Sequence, residues 1–181
     1  MKTSAFYGLL LLSLQAAAMA EPQAGKTVPA NPLISFEGFR QNVAEADQLR
    51  ATRRLTEDQF LKMMKQSGVV LLDARSAEKF KLRHIEGAVN LSLPDFNAAA
   101  LAKIIPAKNT PVLIYCNNNF ENSPVSFASK SISTALNLHT FTSLLGYGYT
   151  QVFELGPLLD VHTTHIPFKG TETEGKDPVC R

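Results

Sequence analysis

Short apolar runs, separated by polar segments with helical spacing, form the middle of this 181-residue chain. The runs VVLL (69–72), PVLIY (111–115) and QVFEL (151–155) each adjoin or begin with a glycine or proline, and they predict strands. VVLL is typical of a strand buried on both faces. A shorter strand is predicted within AVNL (88–91), after a glycine turn. Because helical segments separate these strands, the pattern predicts an α/β fold with a mostly parallel central sheet flanked by helices on both sides.

Helix signals lie between the predicted strands. Thr56 is a candidate N-cap, and Gln59, three residues later, can complete a capping box. Ser123 followed by Pro124 also predicts a helix start, because serine is a good cap and proline suits the first helical position. That helix is expected to reach about residue 136. Further helices are expected at 34–50, 77–82, 94–105 and 139–145.

The N-terminus has the layout of a secretory signal peptide. Lys2 precedes the apolar run AFYGLLLLSL (5–14), and Ala18-Met19-Ala20 supplies an A-x-A cleavage pattern. We therefore expect cleavage after Ala20 and a periplasmic or secreted protein; an uncleaved amphipathic helix is the alternative. The run is too short to cross a bilayer, which takes about 20 residues, and no later stretch is long and apolar enough.

Four segments are expected along the chain: a signal peptide (1–20), an N-terminal extension (21–55), one folded domain (56–168) and a mobile polar tail (169–181). The 18 Lys and Arg residues nearly balance the 16 Asp and Glu residues, so charge gives no reason to expect a nucleic-acid partner. Two cysteines are too few for a disulfide scaffold. One disulfide bridge is possible, because an exported protein lies where disulfides can persist.

Cys116 is the candidate reactive residue. It directly follows a predicted buried strand, and parallel sheets bind ligands at the C-terminal ends of their strands. The loop CNNNFEN (116–122) has no proline, so its N–H groups can turn toward an anion, and the helix predicted at Ser123 adds a positive dipole end. Both effects favour a thiolate, with a pKa below the free value of about 8.5. The alternative is a small buried residue with a packing role.

The segment 69–159 resembles the rhodanese-like domain family. LLDARSAEKFKLRHIEGAVNL is similar to the family's strand, Asp-x-Arg and His-Ile-x-Gly-Ala turn, PVLIYC to its strand ending in the catalytic cysteine, and LLGYGYTQVFELGP to its glycine-tyrosine turn and next strand. The resemblance implies sulfurtransferase activity, in which sulfane sulfur passes from a small donor to a thiol or cyanide through a persulfide on Cys116, with no metal or organic cofactor. It also implies that the surrounding loop binds the substrate: Asn117, Asn118, Asn119, Phe120, Glu121 and Asn122.

The loop departs from the family pattern. Sulfurtransferase members usually have a six-residue loop with a glycine and a final arginine, whereas this loop has seven residues and neither of these. Phosphatase relatives have seven residues, but they need a phosphate-clamping arginine where this chain has Asn122, which argues against a phosphatase. Glu121 disfavours a dianion such as thiosulfate. The segment 123–145 is longer than usual and is expected to reshape the rim of the pocket.

Three further residues bear on the interpretation. Asp73 and Arg75 follow a predicted strand close to the site and are expected to support it as a buried ion pair or by fixing a turn. Cys180 lies in the expected tail, where it is either unpaired or bridged to Cys116 or to another chain. Two other classes of function stay open: a catalytically inactive rhodanese-like binding module, favoured by the missing loop arginine, and a thiol redox sensor, supported by Cys180.

Overall fold

The computed structural model describes residues 29–173 of the chain, which divides into two units at residue 35. In the first unit, Met1–Ile34, the described residues 29–34 include a turn in which Asn31 accepts hydrogen bonds from the main-chain N–H groups of Leu33 and Ile34. The second unit, Ser35–Arg181, contains every helix and strand given below. The predicted signal peptide and Cys180 lie outside the described residues.

The second unit alternates helices with strands. The helices are α1 (Phe36–Arg53), α2 (Glu57–Met64), α3 (Ala77–Leu82), α4 (Ala98–Ile104) and α5 (Leu136–Gly146). The strands are β1 (Arg54–Leu55), β2 (Val70–Asp73), β3 (His84–Ile85), β4 (Val89–Asn90), β5 (Val112–Tyr115), β6 (Phe120–Glu121), β7 (Val152–Leu155), β8 (Leu159–Asp160) and β9 (Phe168–Lys169). Five strands form a parallel sheet in the order β1-β7-β5-β2-β4, which confirms the predicted α/β fold.

The central strand β5 is buried on both faces. Val112 and Ile114 face a core shared with α1, α4 and α5, whereas Leu113 and Tyr115 face a second core shared with α2. Successive side chains of a strand point to opposite faces, so a strand covered on both sides reads as an unbroken apolar run. Helices therefore cover both sides of the sheet, as predicted.

Side-chain caps set four helix starts, at Ser35, Thr56, Ser76 and Asn97. Thr56 Oγ1 accepts a hydrogen bond from the N–H of Gln59 at 3.3 Å, and Gln59 Oε1 accepts one from the N–H of Thr56 at 2.9 Å, which confirms the capping box. The helix expected at 94–105 is divided into a 3₁₀ turn, Leu93–Asp95, and α4, which Asn97 caps.

Within residues 29–173, no helix has the length and apolarity needed to span a bilayer.

The helix predicted at Ser123 is absent from the described chain, so that prediction is wrong. One turn forms there, with the carbonyl of Ser123 accepting from the N–H of Phe127 at 2.8 Å. The chain then continues through bends and a 3₁₀ turn until α5 begins at Leu136. Five serines lie among the twelve residues 123–134, and their hydroxyls compete for backbone hydrogen bonds, so the cap signal is not followed by residues that extend a helix.

The folded unit extends further toward the C-terminus than predicted. β9 pairs antiparallel with β3, and the N–H of Thr171 donates to the carbonyl of Lys81 at 3.1 Å. Gly170, with φ of 128°, passes so close to α3 that a Cβ there would lie 2.4 Å from the carbonyl oxygen of Leu82. The expectation of a mobile tail therefore needs correction for residues 169–173, which are anchored to the end of α3.

Candidate active site

Cys116 follows the central strand β5 and lies at the C-terminal edge of the parallel sheet, as the sequence predicted. Its backbone is still extended, with φ −147° and ψ −174°. Since side chains alternate along extended backbone, Cys116 lies on the same face as Ile114, toward α1 and α5. The residue is 2% exposed, so the sheet fixes the thiol in position and removes it from bulk water.

The loop after Cys116 does not curl around the sulfur along its whole length. Asn117–Asn119 form a 3₁₀ turn, in which the N–H of Asn119 donates to the carbonyl of Cys116 at 3.2 Å. The next two residues form β6 and pair with β8, and Asn122 then adopts a positive φ of 62°, which asparagine tolerates. The prediction that the N–H groups of the loop 116–122 turn toward one anion is therefore wrong for the second half of the loop, because strand pairing occupies it.

The six loop residues predicted to bind substrate face three different pockets. Asn118 and Asn119 line the pocket that contains Cys116. Asn117 lines a second pocket beside Arg75 and Lys79. The third pocket is lined by Phe120, Glu121 and Asn122. The structure thus brings two of the six next to the thiol, and it places Glu121 in a pocket that does not include Cys116.

Asn119 joins three elements at the site. Its Oδ1 accepts hydrogen bonds from the N–H of Cys116 at 2.9 Å and from Nδ2 of Asn137 at 3.1 Å. Its Nδ2 donates to the carbonyls of Leu155 at 2.8 Å and Pro157 at 3.2 Å. These bonds connect the end of β5, the first turn of α5 and the end of β7. The side chain of Asn119 therefore holds the geometry around the thiol.

A helix start does point at Cys116, but it belongs to α5. Ala135 precedes α5 and provides no side-chain cap, so the first N–H groups of this helix need other partners. The N–H groups of Asn137, Asn118 and Leu136 act on the sulfur by lowering its pKa. The positive end of the α5 dipole adds to their effect. The expected combination of amides and dipole is present, but a different helix supplies most of it.

The thiol is nevertheless harder to ionise than a free cysteine. Burial raises the pKa of Cys116 above its ordinary value, and the charge of Glu154 raises it further. The N–H groups of Asn137, Asn118 and Leu136 lower the pKa but do not outweigh burial. The predicted low pKa is therefore wrong, because desolvation of the charged sulfur raises the pKa by more than the three main-chain N–H groups lower it.

A pocket of about 160 Å³ lies over Cys116. Its other lining residues are Arg50, Arg54, Asn118, Asn119, Ile132, Ala135, Asn137, Leu138, Glu154, Leu155 and Gly156. Ile132 and Ala135 come from the long segment 123–145, so that segment does form part of the rim. Within residues 29–173, no group of three or more His, Cys, Asp or Glu side chains is arranged to hold a metal ion.

Glu154 is a buried carboxylate with two arginine partners. Its Oε1 lies 2.7 Å from Nη2 and 3.0 Å from Nε of Arg50, and 3.2 Å from Nε of Arg54. Its Oε2 has no hydrogen-bond partner among the described residues, and the side chain is 1% exposed. Two guanidinium groups and one carboxylate therefore line the pocket, which leaves one positive charge in excess.

These three charged residues were missed by the sequence analysis. Glu154 carried one signal, since a charged residue inside the apolar run QVFEL must be buried and paired if the run is a central strand. Arg50 and Arg54 carried none, because their segment could not be related to Cys116 from the sequence. They reach the site because β1 pairs with β7, at Arg54↔Glu154.

Asp73 and Arg75 form a buried ion pair beside the site, which confirms the structural interpretation. Arg75 Nη2 lies 2.5 Å from Asp73 Oδ2, and the guanidinium also donates to the carbonyls of Ser126 and Arg83 at 2.8 Å. Burial and the charge of Asp73 raise the pKa of Tyr115 well above its ordinary value of 10.0, so its hydroxyl stays protonated and donates to Asp73 Oδ2 at 2.5 Å. The cluster of Asp73, Arg75 and Tyr115 therefore connects the turn after β2 to the segment that follows the cysteine loop.

The fold is a parallel α/β sheet, and a buried cysteine lies at the end of its central strand beneath a small pocket. These features define a class of α/β domain with a single cysteine at its candidate site. The family model for the rhodanese-like domain matches residues 56–155. This match covers more than half of the chain, and the protein belongs to the rhodanese-like domain family. The resemblance inferred from the sequence motifs is thereby confirmed.

Individual relatives are distant. Over 90 residues the chain is 28% identical to the thiosulfate sulfurtransferase PspE of Escherichia coli strain K12, an alignment that covers 50% of this chain and 71% of PspE. Similar solved structures include the rhodanese-like domain of Alr3790 from Anabaena sp, with 17% identity, a TM-score of 0.48 and coverage of 71% of this chain and 86% of that one. Another is BH2092 from Bacillus halodurans, with 17% identity, a TM-score of 0.46 and coverage of 74% and 88%.

Proposed function

We propose that this protein is a sulfurtransferase that carries sulfane sulfur as a persulfide on Cys116. The observation that carries the proposal is the position of Cys116 in the lining of a pocket, where the N–H groups of Asn137, Asn118 and Leu136 lower the pKa of its sulfur. Amides held in this way stabilise negative charge without having to reorganise. Membership of the rhodanese-like family, and similarity to a thiosulfate sulfurtransferase, support the same activity.

The proposed cycle has two steps. The Cys116 thiolate attacks a donor R–S–S⁻ or an equivalent sulfane compound, so a Cys116 S–S bond forms while the donor's own bond to the transferred sulfur breaks and its remainder leaves with the electron pair. A thiol or cyanide then attacks the outer sulfur and releases Cys116. Because burial raises the pKa of Cys116, the thiolate is a minor species near neutral pH, and the first step is expected to accelerate as pH rises.

Intact-mass measurement tests this cycle. The purified protein is incubated with thiosulfate, a thiosulfonate or a polysulfide, and we expect a gain of one sulfur atom that is lost on addition of cyanide. Cys116→Ser should abolish the gain. Cys180→Ser is the matched control, since it removes the other cysteine of the chain and should leave loading unchanged. If Cys116→Ser gains sulfur as readily as the unaltered protein, the proposal fails.

A second candidate is a rhodanese-like module that binds a partner or a small anion without chemistry. The 2% exposure of Cys116 favours it, together with a pKa raised rather than lowered, because an inert structural cysteine has both properties. The same mass experiment separates the two candidates. Absence of sulfur loading from every donor, with retained binding of an anion to the folded protein, would establish the binding module.

We further propose that the protein is exported, with cleavage after Ala20. The proposal rests on the residues themselves: Lys2, the apolar run at 5–14 and the Ala18-Met19-Ala20 pattern. Expression of the full chain in a bacterium, followed by periplasmic extraction and N-terminal sequencing, should recover a product that begins at Glu21. A product that keeps Met1 and remains in the cytoplasmic fraction would contradict this.

A further inference from the structure

The positive charges of the thiol pocket come from outside the segment that defines the family. The family match covers residues 56–155, whereas Arg50 lies at the end of α1 and Arg54 forms the start of β1. Both line the pocket with Cys116. The loop itself has no Lys or Arg between Cys116 and Ser123. The N-terminal extension is therefore part of the pocket wall and supplies the cations that the loop lacks.

The two arginines are not equivalent. Arg50 contacts Glu154 Oε1 with two nitrogens, at 2.7 and 3.0 Å, and its side chain is 22% exposed. Arg54 makes one longer contact with the same oxygen, at 3.2 Å, and its side chain is 56% exposed. Arg50 and Glu154 thus form the tight, nearly neutral pair. Arg54 is the surplus positive charge, and it lies at the solvent-facing side of the pocket.

Arg54 is held in place while keeping donors free. Its Nε contacts Glu154 and its Nη2 donates to the carbonyl of Gly156 at 3.2 Å. A guanidinium has five N–H donors in a rigid plane, so several remain for a ligand. The fixed orientation also means that less side-chain entropy is lost when an anion binds.

Part of the pocket lining is apolar. Ile132, Ala135 and Leu138 form this part, from the segment before α5 and from its first turn. Ile132 is 88% exposed, so a ligand with an apolar group would cover surface that otherwise faces water. Glu154 limits the charge that the pocket accepts, because a second negative charge on the ligand would face a buried carboxylate without a further cation to balance it.

We propose that Arg54 is the residue that selects the sulfur donor, and that the preferred donor is a monoanion with a small apolar group rather than the thiosulfate dianion. This inference rests on the proposed function of Cys116. For a thiosulfonate, R–SO₂–S⁻, the Cys116 thiolate attacks the terminal sulfur and a new S–S bond forms. The bond between that sulfur and SO₂R breaks, and R–SO₂⁻ leaves with the electron pair. The thiol proton passes to solvent, and no oxidant is needed.

Methanethiosulfonate, CH₃–SO₂–S⁻, and thiosulfate form a matched pair of probes, because they differ by a methyl group in place of one charged oxygen. The second-order rate of sulfur loading on Cys116 is measured by mass for each donor, and each rate is divided by the rate with a small free thiol to remove intrinsic reactivity. We expect the normalised rate to be higher for methanethiosulfonate. Ile132→Ser should reduce this preference without abolishing loading.

The variant Arg54→Gln tests the assigned residue. A charge-assisted hydrogen bond at a half-exposed site predicts a loss of about tenfold in the loading rate for both anions. Arg53→Gln is the matched control, since the adjacent Arg53 removes the same charge but directs its guanidinium over the ring of Phe153, 5.6 Å from the centroid, and donates to the carbonyl of Thr150. Thermal unfolding of both variants checks that they fold.

The outcomes separate this inference from the function on which it rests. Slower loading in Arg54→Gln than in Arg53→Gln, with methanethiosulfonate preferred, supports it. Equal loading rates in the two variants would overturn the role of Arg54, and a normalised preference for thiosulfate would overturn the monoanion selectivity, while sulfur transfer itself would stand. Absence of loading from either donor in the unaltered protein would overturn the proposed function and this inference with it.

Discussion

Replacement of Asn119 by alanine should reveal how the cysteine site is held together. The change removes both hydrogen bonds to Oδ1 and both from Nδ2. The N–H of Cys116, the side-chain amide of Asn137 and the carbonyl of Leu155 would each lose a partner in a buried region. A buried polar group left without a partner costs about 1–3 kcal/mol. Because the adjacent pocket lets water reach some of these groups, we expect a loss of about 3–5 kcal/mol in the free energy of unfolding.

Such a loss is a large share of the roughly 5–15 kcal/mol by which a domain of this size is stable. Urea unfolding measures it, and Asn118→Ala is the control, because Asn118 makes its two side-chain hydrogen bonds to the main chain of exposed Lys130, where water replaces them at a cost of about 1 kcal/mol or less. Alkylation of Cys116 in the folded protein should also become faster in Asn119→Ala. If the two variants lose the same stability, Asn119 does not have the assigned role.

Three further perturbations follow from the buried charges and the thiol. Arg75→Met should lower the free energy of unfolding by about 3–5 kcal/mol, because it leaves Asp73 charged and unpaired in the core; adding Asp73→Asn should restore part of the loss in urea titrations, and no recovery would contradict the ion-pair explanation. Because the pKa of Cys116 is raised in the folded protein, its neutral thiol contributes stability that is fully present below the ordinary cysteine pKa and is lost as pH rises through the folded-state pKa. Cys116→Ser should therefore lose less free energy of unfolding than the unaltered protein between pH 8 and about pH 10.5. Glu154→Gln should lower the pKa of Cys116, since it removes a nearby negative charge, and the pH profile of iodoacetamide alkylation should shift toward lower pH; a shift toward higher pH would contradict this electrostatic assignment.

The sheet and several helix starts were predictable because their signals are local. The strands β2, β5 and β7 were found from short, largely apolar runs bounded by glycine or proline, which are typical of strands in a sheet covered on both faces. The capping box at Thr56 needs nothing beyond four consecutive residues. The position of Cys116 at a strand end followed directly, since it depends on one strand boundary and on the parallel arrangement.

The helix expected at Ser123 shows where a local signal misleads. Serine and proline there have the right identities for a helix start, but helix formation also requires propagation through the residues that follow. The serine-rich stretch does not support it, and the positive helix end beside the thiol instead comes from α5, whose first residue is Leu136. The sequence analysis predicted that a helix dipole would face the sulfur, but it assigned that dipole to the wrong helix.

The chain by itself determined the order of the long strands of the sheet, the family and the residue at the end of the central strand, because hydrophobic periodicity and motifs act over a few neighbouring positions. Tertiary structure decided the charge of the pocket and the ionisation of the thiol. Arg50 meets Glu154 across 104 residues of sequence, and the pKa of Cys116 depends on how deeply other elements bury it. Coulomb energy and desolvation depend on distances in space and on the surrounding medium. The spacing of residues along the chain predicts neither the distances nor the medium.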